Sequence, residues 1–212
     1  LQSAFGQTEA SPMICLNHDD VTFDDICYSA GQPLPHTSVS IRHPETGAVL
    51  EVGEVGEICA KGYNVMIGYH NNPDATHAAI DEDHWLHTGD LGKLDQRGFI
   101  QVTGRVKDMI IRGGENHFPA EIENTLMESP QVAEVAVVGI PDEKWGEVIA
   151  AFVRTAEDMP WDADNLKSFC RSHLSPQKTP SIWRHVDAFP LTGSGKIQKF
   201  KIREKYLSGD YE

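Results

Sequence analysis

Three short stretches of this chain place polar side chains beside glycine in arrangements suited to phosphate and ribose chemistry. In Phe5-Gly6-Gln7-Thr8-Glu9 a hydroxyl and a carboxylate follow a glycine, a grouping that can hold a phosphate oxygen and its hard cation. Thr8 and Glu9 suit the first turn of a helix equally well. In Thr88-Gly89-Asp90, followed by Gly104-Arg105, a carboxylate and a guanidinium each sit at a turn ending a β-type run. A carboxylate accepts two hydrogen bonds from a ribose diol, and an Asp after Gly is also an ordinary turn former. The third stretch, Pro190 to Lys196, puts a lysine on a loop with two glycines. It fails the phosphate-loop pattern twice, because Pro190 takes the first glycine position and Ile197 the hydroxyl position. A lysine on such a loop still delivers a point charge to a developing oxyanion or phosphate; the plain alternative is a solvated lysine in a basic tail.

The elements that must position these residues change character along the chain. Residues 39–104 are rich in glycine turns and short β-type runs, which predicts a small antiparallel sheet or distorted barrel. One helix interrupts it over residues 73–80, with Asn72 as cap and Pro73 in the first turn. After Arg105 come a short strand over residues 109–112, a helix carrying Ile122, Leu126 and Met127, and two buried-strand runs, VAEVAVVGI and EVIAAFVR. A helix capped by Asp162 or Asp164, a strand, the lysine loop and a basic helix complete the order. The expected fold class is α+β: a β-rich piece over residues 1–104, then a small α+β piece over residues 105–212 with a central sheet and flanking helices.

Composition narrows the classes. The 212 residues are 40% hydrophobic and 24% charged, ordinary globular usage that argues against disorder or coiled coil. A net charge of −14 repels phosphate backbones and anionic lipid, so no nucleic-acid partner is expected. No apolar run approaches the roughly 20 residues of a membrane helix, so no integral membrane segment is expected. Cys15, Cys27, Cys59 and Cys170 lack metal or scaffold spacing and read as reduced thiols of a cytoplasmic protein. His84 and His87 flank Trp85, with no cysteine beside them in sequence to complete a metal site.

In series, FGQTE, GYNVMIGYHNNPDAT, HWLHTGD, GFIQVTGRVKDMIIRGGENHFPAEIE, PDEKWGE and PLTGSGKIQK occur in the order and approximate spacing of one family. The chain resembles the C-terminal part of the adenylate-forming superfamily, which holds acyl-CoA synthetases, luciferases and peptide-synthetase adenylation domains. The resemblance implies activation of a carboxylic acid with Mg-ATP to an acyl-adenylate, rotation of the C-terminal domain, and transfer of the acyl group to a thiol. It implies that the phosphate-gripping loop and acyl pocket belong to a missing N-terminal AMP-binding region, and hence that the 212 residues alone are inactive.

The same resemblance implies residue roles. Phe5 stands where the family often has Tyr and offers an aromatic face to adenine, within a pentapeptide (Gly6, Gln7) facing the nucleotide. Thr8 would contact a phosphate oxygen and Glu9 would hold Mg2+. Asp90 would accept the ribose hydroxyls and Arg105 would add a donor. Lys107 matches the hinge. Lys196 matches the lysine that bridges substrate carboxylate and α-phosphate. Gly113 and Gly114 would line the pantetheine tunnel for CoA, and Glu115 would orient a partner in the N-terminal region. His117 departs from the usual Ile, and His84 from a frequent Gly. Lys107 at the hinge and the ENxxPAEIE-like continuation favour an acyl-CoA ligase, with a fatty acid as the leading substrate. A carrier-protein acceptor and a non-catalytic nucleotide-binding fragment stay open.

Overall fold

The computed structural model describes residues 2–211 and divides into two compact units, Leu1–Lys107 and Asp108–Glu212. In the first unit, β1 (Ala4–Gly6), β2 (Met13–Leu16) and β3 (Gln32–Pro33) form one small antiparallel sheet, with α1 (Phe23–Tyr28) between β2 and β3. A second antiparallel sheet runs in the order β4 (Thr37–Arg42), β5 (Gly56–Gly62), β6 (Leu86–Leu94) and β7 (Ile100–Arg105). Among the described residues both sheets are open, so the distorted-barrel expectation narrows to sheets without closure. The helix α2 (Pro73–Ala79) starts as its sequence demands: the Asn72 side chain accepts from the Ala75 N–H, and Pro73 occupies a first-turn position where a missing N–H costs nothing. One apolar cluster ties the unit together, with Ala10, Ile14, Ile58, Leu86 and Ile100 fully buried and Phe5 packed against them.

The second unit opens with a hairpin of β8 (Ile110–Arg112) and β9 (Glu115–His117), followed by α3 (Pro119–Met127). Next come β10 (Val132–Asp142), β11 (Gly146–Thr155), α4 (Ala163–His173), β12 (Ile182–His185) and α5 (Lys199–Ser208). The sheet order is β10-β11-β8-β9, with β12 parallel to β11. The near-continuous apolar runs of β10 and β11 are explained by burial on both faces. Val135, Val137, Ile149, Ala151 and Val153 face Ile122 and Leu126 of α3 and Leu166 and Cys170 of α4. Ala136, Val138, Ile140, Ala150 and Phe152 face the other way, onto Ile202 of α5. There Phe152 meets Tyr206 edge-on, ring centres 5.8 Å apart. Asp162 is the cap of α4, accepting from the Asn165 N–H at 2.9 Å.

The two departures from the family pattern have different physical consequences. His84 sits in a tight turn at φ +63°, the left-handed region where glycine is at ease and a β-carbon is strained. His117 is 3% exposed, and neither ring nitrogen has a hydrogen-bond partner among the described residues. Burial, with Arg112 and Lys178 nearby, lowers its pKa despite the opposing charges of Glu115 and Glu121. The folded state thus keeps this ring neutral while the unfolded chain protonates near pH 6.5, so stability is full above that pH and falls as pH drops below it. His117→Ile is expected to stabilise the protein by about 1–2 kcal/mol at pH 7, because no buried polar atom stays unpaired. It should also flatten the decline between pH 6.5 and 5. Urea midpoints across that range check both, and an unchanged pH slope would count against the reading.

Candidate functional site

The pentapeptide is set by a close backbone approach. At Gly6 a β-carbon would lie 1.9 Å from the Pro12 carbonyl oxygen and 2.8 Å from the Met13 Cα, so only glycine allows β1 to meet β2 there. The chain then makes a single 3-10 turn over Thr8–Ala10, whose buried Ala10 pins it to the core. Thr8 is exposed and Glu9 half-buried, and the helix start expected here is one short turn. The Tyr69 hydroxyl donates to Glu9 Oε1 at 2.8 Å, and the Glu9 carbonyl accepts from the Met66 N–H at 2.8 Å. That hydrogen bond is the main cause of a raised Tyr69 pKa, which keeps the phenol protonated and the carboxylate oriented. A hard cation takes one or two carboxylates together with phosphate oxygens, and Glu9 beside the Thr8 hydroxyl fits that donor set.

Asp90 and Arg105 are brought together by strand register. They face each other across β6 and β7, and Arg105 Nε donates to Asp90 Oδ1 at 3.0 Å. The Asp90 side chain is 14% exposed, whereas that of Arg105 is 52% exposed. Only Nε of the half-exposed Arg105 guanidinium is engaged in that bond, which leaves its terminal N–H groups as donors. Thr88-Gly89-Asp90 is not the strand-ending turn expected from sequence but a bulge inside β6, where the pairing with β5 is interrupted and Gly89 takes φ +70°. Thr88 Oγ1 locks it by donating to the Ile58 carbonyl at 2.7 Å and accepting from the Asp90 N–H at 3.1 Å.

In the second unit, Gly113 and Gly114 are the two-residue turn of the β8–β9 hairpin, at φ +61° and +85°. That geometry requires positive φ at both positions and supplies a local reason for both glycines. Trp145 backs the turn: its carbonyl accepts from the Gly113 N–H at 2.8 Å, and a β-carbon on Gly113 would come within 2.9 Å of its ring. Arg112 and Lys144 lie over the same ring, 5.3 and 4.8 Å from its centre. Glu115 is exposed at the end of this turn. Lys196 lies on a loop closed by the Leu191–Ile197 bridge, with Thr192 Oγ1 accepting from the Lys196 N–H at 3.1 Å. Its side chain is exposed and has no partner among the described residues. Lys107, also exposed, is the last residue of the first unit.

Sequence reasoning passed over Tyr69, Trp145 and the Glu57–His87 pair. His87 Nδ1 lies 2.7 Å from Glu57 Oε2 and 3.6 Å from Cys59 Sγ, so the structure supplies the cysteine that local sequence around His87 lacked. These partners come from β5, 28 and 30 residues away, where no short-range pattern reaches. All four cysteines are unpaired. Burial pushes the Cys15 and Cys59 thiols up to about 12 and that of Cys170 to about 11. No helix among the described residues is long and apolar enough to cross a membrane.

Comparison with known proteins bears on the chain as a whole. Residues 1–70 match the family described as AMP-binding enzyme, and residues 121–196 match AMP-binding enzyme C-terminal domain. YngI of Bacillus subtilis (strain 168), provisionally named an acyl-CoA synthetase, is 46% identical over 204 residues, which are 96% of this chain and 37% of YngI. The mitochondrial medium-chain acyl-CoA ligase ACSF2 of Bos taurus is 45% identical, over 95% of this chain and 33% of its own length. The chain thus spans about a third of the length of these relatives. Among solved structures, ATP-bound MatB from Rhodopseudomonas palustris matches with a TM-score of 0.91 and 35% identity, covering 97% of this chain and 40% of that one. The o-succinylbenzoate CoA synthetase MenE from Bacillus subtilis, in complex with its acyl-adenylate intermediate, matches with a TM-score of 0.85 and 37% identity, over 95% of this chain and 40% of MenE. The α+β fold, the ordered motifs and these matches together place the chain in the family of adenylate-forming, AMP-binding enzymes.

Proposed function

We propose that this chain serves an acid–thiol ligase that activates a carboxylic acid, with a fatty acid as the leading candidate, as acyl-AMP at the expense of Mg-ATP and passes the acyl group to CoA. The observation that carries the reading is the Asp90–Arg105 pair: a carboxylate and a partly free guanidinium on facing strands suit a ribose diol. In this reading Phe5 would offer a face to adenine, Thr8 a phosphate contact and Glu9 a ligand to Mg2+. Residues 1–104 would complete the large AMP-binding domain, and residues 105–212 would form the mobile C-terminal domain, swinging about Lys107. Lys196 would serve the adenylation step, and the Gly113-Gly114-Glu115 turn would serve thioester formation. Four unpaired cysteines accord with a cytoplasmic setting.

The test uses the full-length enzyme carrying this chain, Mg-ATP and a panel of carboxylic acids, each with and without CoA, with product masses recorded. Acyl-CoA formed only when CoA is present supports the ligase and names its acid. Acyl-AMP that accumulates equally in both conditions would move the acceptor to a carrier protein or another nucleophile, and nucleotide binding with no acyl-dependent turnover would make the protein a non-catalytic binder. Within this reading, Asp90→Asn is expected to raise KM for ATP about tenfold, the cost of one charge-assisted hydrogen bond, with a much smaller rise for 2′-deoxy-ATP. Equal rises for both nucleotides would remove Asp90 from the ribose site.

A further inference from the structure

The residue just before Asp90 is held from outside every stretch that resembles a nucleotide contact. Glu57 lies on β5, its side chain 10% exposed, and uses both carboxylate oxygens. Oε1 accepts the backbone N–H of Gly89 at 3.0 Å, and Oε2 faces His87 Nδ1 at 2.7 Å. A carboxylate only accepts, so Nδ1 carries the proton in that bond. The two groups that Glu57 grips, His87 and Gly89, lie on either side of Thr88 and immediately before Asp90. Here the β5–β6 register breaks, so on the β5 side Gly89 depends on the Glu57 carboxylate, whereas on the β7 side Asp90 pairs with Arg105. The other edge of the His87 ring looks toward Asp81, with Nε2 3.7 Å from Oδ2. Asp81 is anchored in turn by Arg42 at 3.1 Å and by the Trp85 N–H at 2.8 Å.

We propose that Glu57, oriented by His87, is the positioning residue that sets Asp90 for the nucleotide ribose. This inference rests on the ribose role proposed for Asp90. The half-buried backbone amide next to Asp90 donates to a single carboxylate, so losing that acceptor loosens Gly89 at the break in the β5 pairing. Asp90 then loses its aim before the sheet loses its fold, because Ile58, Cys59 and Ala60 remain packed in β5.

Glu57, Cys59 and His87 also present three potential metal ligands within 4.8 Å of one another. The spacing favours hydrogen bonding. Nitrogen and oxygen ligands on one tetrahedral zinc stand about 3.4 Å apart, well beyond the 2.7 Å seen between Nδ1 and Oε2.

The test compares Glu57→Leu, which keeps the volume and removes both acceptors, with Glu57→Gln, which keeps one, and with Asp90→Asn as reference, all in the full-length enzyme. The readout is the ratio of KM for 2′-deoxy-ATP to KM for ATP, with kcat at saturating ATP measured alongside. Glu57→Leu is expected to lower that ratio about tenfold by raising KM for ATP, with kcat changed less than about threefold. Glu57→Gln should lower it about threefold. A ratio unchanged by Glu57→Leu, while Asp90→Asn lowers it, overturns the positioning role and leaves the ribose reading intact. If Asp90→Asn does not lower the ratio, the ribose reading fails and the inference falls with it. Should Glu57→Leu not fold, Glu57→Gln decides, and an unchanged ratio overturns the proposal. One equivalent of zinc in the purified enzyme, lost in Glu57→Gln, would also overturn it in favour of a metal centre.

Discussion

Replacing Lys196 by Ala in the full-length enzyme is expected to slow acyl-adenylate formation by about 10²–10³-fold, the usual cost of removing one preorganised group that meets charge developing in a transition state. Transfer from preformed acyl-adenylate to CoA should stay near the wild-type rate, because the proposed role of Lys196 belongs to the first half-reaction alone. The structure makes this a clean substitution. The side chain is exposed with no partner among the described residues, and the loop is held by backbone and by Thr192 Oγ1, not by the lysine side chain. Unfolding should therefore be unaffected. Single-turnover measurement of pyrophosphate release, set against thioester formation from synthetic acyl-adenylate, separates the two steps. Equal loss in both would count against the role given to Lys196.

Gly6→Ala is expected to act through the fold, destabilising the protein by about 3 kcal/mol. The added methyl group would meet the Pro12 carbonyl oxygen at 1.9 Å and the Met13 Cα at 2.8 Å. Both are backbone atoms, so no rotamer change relieves the contact; β1 must separate from β2. The turn bearing Thr8 and Glu9 follows directly and would move with it, so nucleotide affinity should fall together with stability. Urea midpoints and ATP binding, measured on the same preparation, check the pair of effects. A midpoint within about 0.5 kcal/mol of wild type would mean that the hairpin shifts to admit the methyl group. Together the two substitutions separate chemistry from architecture: one should cost rate without stability, the other stability and binding together.

Much of the molecule was legible in the residues themselves, for local reasons. Asn72-Pro73 announces a helix start because cap and first-turn geometry depend on adjacent residues, and α2 begins there. The apolar runs of β10 and β11 exceed what a one-sided strand needs, and both faces are buried. The motif series also carries the family, since six short patterns in order are a property of sequence alone. Residues 4–33 were the least legible part, because strands of two to four residues carry too little periodicity to register.

What sequence by itself determined, then, was the α+β class and the family, and it named the residues proposed for the site. Tertiary structure alone decided how those residues are held. Asp90 and Arg105 are 15 positions apart and meet only because β6 and β7 pair in one register. Glu9 finds Tyr69 across 60 positions, and His87 finds Glu57 across 30. Burial likewise turned His117 from one of ten histidines into a neutral ring without a hydrogen bond among the described residues. Local sequence sets backbone preferences over a few residues, whereas partners, burial and pKa depend on chain segments that only folding brings together.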